Sequence, residues 1–146
     1  MAKFNSKHGT VSRSSQELYM MFVDLSNFTR MLPEDKKAMV TADYDTLRVT
    51  IQGFNVGVRV TGRVPYSLIQ LQDDNAPFHF GVSINFLEVE SYKTDFSIEV
   101  EADLNLMMKM MLGNKIEEAL NRIVDGLVAV SEGRMPEGMP KDFNFN

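Results

Sequence analysis

Cysteine is absent from the 146-residue chain, which excludes disulfides, a thiol nucleophile and cysteine-ligated zinc. Histidine is scarce: only His8 and His79 occur. Imidazole is the usual acid or base near neutral pH, so acid–base chemistry has few candidates here. No apolar run approaches the roughly 20 residues of a membrane span. The start, Met1-Ala2-Lys3-Phe4-Asn5-Ser6-Lys7, lacks the apolar centre of a signal peptide. Basic residues form no cluster; Arg48, Arg59, Arg63 and Arg122 are scattered, and the net charge is −5. Attraction to nucleic acid is therefore disfavoured. Ser12, Ser14 and Ser15 sit in no G-x-S-x-G elbow, and neither a P-loop nor a G-x-G-x-x-G fingerprint occurs. The expectation is a soluble cytoplasmic protein with no cofactor, no metal site and no nucleic-acid partner.

What is present is patterning. Hydrophobic residues make up 44% and charged residues 24%, enough to build one ordinary globular core. Phe4 to Ser12 reads as a first strand. Ser14 followed by Glu17 forms a capping box, and Leu18, Met21, Phe22 and Leu25 follow at helical spacing. A second short helix spans Asn27 to Met31, before Pro33. Pro33 to Lys37 reads as a polar connection. The period then becomes two: strands are expected at Met39–Tyr44, Leu47–Ile51, Val56–Val60, Tyr66–Gln72, Phe78–Phe86 and Phe96–Ala102, joined by turns such as Gly53-Phe54-Asn55 and Ser91-Tyr92-Lys93. One sheet face is apolar and the other wet, the antiparallel signature. The last element is a long helix carrying four methionines in five residues (Met107, Met108, Met110, Met111), with a kink or break expected at Gly113-Asn114. Ile116, Leu120, Ile123, Leu127 and Val130 form its sheet-facing stripe.

The order of strand, two short helices, about six further strands and a long last helix resembles the START-like (SRPBCC) superfamily. The run Val11 to Phe28 carries the likeness: a strand enters a helix, then Asp24-Leu25-Ser26-Asn27-Phe28 steps into the second helix. The acidic strand Glu99-Val100-Glu101-Ala102-Asp103 running into the Met-rich helix resembles small bacterial members. The resemblance implies an α+β helix-grip fold, a curved antiparallel sheet of about seven strands around the last helix. Residues 1–131 would form the single domain and 132–146 a tail, on which Phe143 and Phe145 could dock back. A hotdog fold is the weaker alternative, because there the main helix precedes most strands.

The same resemblance implies a cavity between sheet and helix. The expected function is non-enzymatic binding of a hydrophobic or amphipathic small molecule, lipid-like or polyketide-like. Phe22, Phe28, Met31, Val58, Phe80, Ile84, Phe96, Met107 and Met111 are the candidate lining, against a competing reading of each as plain core. The alternatives are a polyketide cyclase or aromatase, and a chaperone-associated interaction module. The cyclase reading needs Arg48, Arg59, His79 or Tyr44 to face inward. By strand alternation His79, between Phe78 and Phe80, points outward. The pairs Glu88/Glu90 and Glu99/Glu101 read as a solvated face, and no catalytic residue is assigned. The expected assembly is a monomer or weak homodimer.

Overall fold

The computed structural model describes residues 2–30, 34–51 and 54–133. Met31, the Gly53 turn position and residues 134–146 lie outside the described residues. Eight strands are described: β1 (Ala2–Asn5), β2 (Gly9–Val11), β3 (Val40–Ala42), β4 (Thr46–Ile51), β5 (Phe54–Val64), β6 (Leu68–Asp73), β7 (Phe80–Glu90) and β8 (Lys93–Ala102). They form one antiparallel sheet in the order β1-β8-β7-β6-β5-β4-β3, with β2 also paired to β8. The helices are α1 (Ser15–Phe22), α2 (Asn27–Arg30), α3 (Glu34–Lys37) and α4 (Leu106–Ser131). This is the α+β helix-grip arrangement, with a curved sheet left open as a trough.

Local chemistry explains most boundaries. The Ser14 hydroxyl accepts the Glu17 N–H at 3.1 Å, and the Glu88 carboxylate accepts the Ser15 N–H at 2.9 Å. Two orphan donors at the start of α1 are thereby satisfied. Asn105 caps α4, accepting from Met108 N–H at 2.8 Å. The expected first strand is two strands. Between them Ser6 replaces one ladder bond with its side chain: its Oγ accepts the Ile98 N–H at 2.8 Å, while its own N–H donates to the Ile98 carbonyl.

Three further expectations change. The segment after Pro33 is a one-turn helix rather than a plain connection, with Glu34 and Asp35 in its first turn, where carboxylates favour a helix start. β6 begins at Leu68 rather than Tyr66, because Tyr66 sits at φ 65° in a turn closed by Ser67 N–H to Val64 C=O. Finally, α4 runs unbroken through Gly113. A Cβ at that position would lie 3.4 Å from the Phe4 ring, in ordinary contact, so α4 lies close on β1 there without a glycine being required. Burial of Leu120, Val124 and Ala129 along the same helix outweighs a glycine propensity deficit of about 1 kcal/mol.

The core sits under α1 and α4. Helix α4 lies against β1, β2 and β8, and α1 lies over β6 and β7. At Gly9 on β2 a Cβ would meet Val124 at 2.5 Å and Val128 at 2.8 Å, so strand and helix touch backbone to side chain. An aromatic cluster fills the α1 end: Phe22 lies 5.4 Å from Phe96, 5.9 Å from Phe86 and 5.6 Å from Phe28 between ring centres.

Candidate functional site

The inward face of the sheet can be read row by row from the strand register. One row, Arg63–Ile69–Ile84–Ile98, is capped by α1, and its three isoleucines are buried. The next is Val60–Leu71–Val82–Val100–Phe4, in which Val60, Val82 and Val100 are only half-buried. Beyond it, Leu47 pairs with Val58 and Val58 with Asp73; on the far side Phe80 pairs with Ala102. Leu47, Val58 and Phe80 are again half-buried. Burial thus fades away from α1 and away from β8, where α4 packs. Leu47, Val58, Val60, Phe80 and Val82 form the floor of an apolar trough, with Phe28 and Ile116 also half-buried against the core.

The trough has a polar group at each end, and each is already engaged. Residues 60–62 carry a β-bulge, which turns Arg63 onto the face of Ile69. Its guanidinium donates to the carbonyls of Val23 (3.0 Å) and Tyr44 (2.9 Å) and to Asp45 Oδ1 (2.9 Å), and lies 4.1 Å above the Tyr44 ring. Arg63 therefore ties the end of α1 to the β3–β4 turn. At the other end Asp73 accepts the Phe80 N–H at 2.9 Å on one oxygen and meets His79 Nδ1 at 3.0 Å on the other. An open depression of about 450 Å³ continues from there, lined by Phe78, His79, Asp103, Leu104 and Met108 among others.

Hydrogen bonds from Phe80 N–H and His79 hold the Asp73 carboxyl below its ordinary range. The bond to Asp73, then its charge and that of Asp103, raise His79 above its usual 6.5. The stabilisation from the raised His79 is complete below about pH 6.5 and fades as pH rises through its folded value; that from the lowered Asp73 is present above about pH 4 and is lost in acid. An NMR titration should place the His79 midpoint higher in the native protein than in Asp73→Asn. Identical midpoints would refute the pairing.

The expected lining residues separate into three groups. Phe22, Ile84 and Phe96 are buried at 7%, 7% and 0% exposure. Phe28, Val58 and Phe80 are half-buried along the trough. Met107 and Met111 are 71% and 65% exposed. Met107 lies nine residues before Ile116, about two and a half turns, so the two point to opposite sides of α4. The inward methionine of the run is Met108. Of the residues on which a cyclase reading depends, Arg48 pairs with Asp74 at 3.3 Å on the outer face, Arg59 is exposed, and the His79 side chain is 80% exposed. Tyr44 lies under Arg63, with 49% of it exposed. Leu47, Val60, Val82, Arg63 and Asp73 belong to the site and are not among the expected lining. No described helix is long and apolar enough to cross a membrane, and no described group of acidic or histidine side chains could hold a metal ion.

No known protein family's sequence profile matches the chain, and no curated protein is similar to it in sequence. Solved structures are similar. The Aha1 dimer from Colwellia psychrerythraea is 14% identical with a TM-score of 0.61, over 88% of this chain and 97% of that one. A START superfamily protein from Mycobacterium smegmatis is 16% identical with a TM-score of 0.58, over 86% and 98%. An HSP90 activator from Plasmodium falciparum is 12% identical with a TM-score of 0.55, over 80% and 90%. The chain therefore has the START-like helix-grip fold that these proteins share.

Proposed function

We propose that the protein is a non-catalytic binding module that takes a hydrophobic or amphipathic small molecule along the trough. The reading rests on one observation: Leu47, Val58, Val60, Phe80 and Val82 face the sheet's concave side yet remain half-exposed. Apolar surface in that position gains about 25 cal/mol per Å² when a ligand removes it from water. Arg63 and Asp73 already have partners within the protein, so a ligand would be held there mainly by burial, with its polar end toward solvent near His79.

Native mass spectrometry of the protein from its own host should show a lipid-like adduct. Val58→Trp, which fills the floor, should lose the adduct and keep the melting temperature. Absence of any adduct, or one indifferent to Val58→Trp, would overturn the proposal. A protein-interaction role is the second reading. It is favoured by the exposed apolar start of α4 (Leu106, Met107, Met110 and Met111) and by the fold shared with the HSP90 activator.

A further inference from the structure

Met107, Met110 and Met111 are 71%, 76% and 65% exposed, and Leu106 beside them is 75% exposed. They cluster at the start of α4; Met107 and Met111 point away from the Ile116–Leu120–Val124 side that packs on the core, and Leu106 and Met110, nearer that side in phase, are exposed all the same. Stability does not explain them. Methionine has about the helix propensity of lysine, glutamine or glutamate, and these side chains bury little surface. Three of the four share one chemical feature, a thioether sulfur open to solvent. Met108, in the same run, is half-buried beside Phe78 and Leu104 and supplies an internal contrast.

We propose that Met107, Met110 and Met111 form a methionine-oxidation site that takes oxygen from hydroperoxides. A sulfur lone pair attacks one peroxide oxygen and the O–O bond breaks. That oxygen stays on sulfur as the sulfoxide; the other departs with its substituent and, taking up the proton released, leaves as water from hydrogen peroxide or as an alcohol from an organic hydroperoxide. Sulfur loses two electrons and the peroxide gains them. Each event turns an apolar side chain into a polar one, and the change is reversible by methionine sulfoxide reductases. Because these side chains do not pack in the core, the exposed start of α4 switches from apolar to polar while the fold persists. The trough is not involved, so the inference stands or falls independently of the ligand.

The test treats the full chain with hydrogen peroxide and follows each methionine by peptide mass mapping. Sulfoxide should accumulate at Met107, Met110 and Met111 at least about threefold faster than at the half-buried Met39 and Met108, since susceptibility follows exposure. The oxidised protein should melt cooperatively at a midpoint close to that of the reduced one, and reductase treatment should restore the original mass. A variant with Met107→Leu, Met110→Leu and Met111→Leu should fold alike and take up three fewer oxygens. Equal rates at Met39 and Met108, or loss of cooperative melting once the three are oxidised, would overturn the proposal.

Discussion

Gly57→Val is expected to destabilise the protein by about 3 kcal/mol, at the upper end of overpacking costs. Gly57 pairs with Arg48 across β4 and β5, on the outer face of the sheet. The β6–β7 connection folds back over it: Asp74 N–H donates to the Gly57 carbonyl at 2.8 Å. A Cβ on residue 57 would fall on the Asp74 carbonyl oxygen, with the Arg48 guanidinium 3.1 Å away on the same side. Backbone cannot swing aside as a long side chain can, so the connection must lift. The Arg48–Asp74 pair and the start of the Asp73–His79 pairing would move with it. A fall in melting temperature of roughly 2–4 °C per kcal/mol is expected for a domain of this size. Gly81→Ala is the matched control, because its Cβ would meet only the Leu71 carbonyl at an ordinary 3.7 Å. If Gly57→Val melted like Gly81→Ala, the close approach would have no energetic weight.

The parts of the fold legible in the sequence are those fixed by period and by short-range chemistry. Alternation in Phe80-Gly81-Val82-Ser83-Ile84-Asn85-Phe86 fixes which residues face inward, and the capping residues Ser14 and Glu17 fix the start of α1. Period fails where the register shifts. Continued past Val60, alternation would send Gly62 and Val64 inward; the bulge sends Arg63 there instead, so the most engaged cation in the site looked like one of several scattered ones. Tyr66 and Tyr92 occupy the left-handed region at φ 65° and 60°, where sequence rules look for glycine or asparagine. The methionine run misleads for a related reason. Apolar residues on a helix suggest burial, yet helix phase sets Met107 and Met111 opposite the core stripe, and Met110, nearer that stripe in phase, is exposed as well. Which concave residues stay half-open depends on where α4 crosses the sheet, a tertiary fact that no local pattern carries.

Phe96→Ala should cost about 3–5 kcal/mol, whereas Phe80→Ala should cost about 1–2 kcal/mol. Both rings lie on the concave face, and both were expected to line one cavity. Phe96 is fully buried, stacked on Phe22 and 5.7 Å from Phe86. Its removal leaves a void bounded by rings that α1 and the sheet hold in place, so collapse is incomplete and the cavity penalty adds to the lost transfer energy. Phe80 is half-exposed at the trough floor, 5.8 Å from Phe78 between ring centres, and water already reaches one side of it. Its removal forfeits partial burial without opening an enclosed void, and it deepens the trough. Urea unfolding of the two variants measures the difference directly. Equal losses would mean that Phe80 is core and that the trough is closed in solution. A small loss at Phe80, accompanied by altered ligand uptake, separates the packed half of the concave face from the half left free to bind.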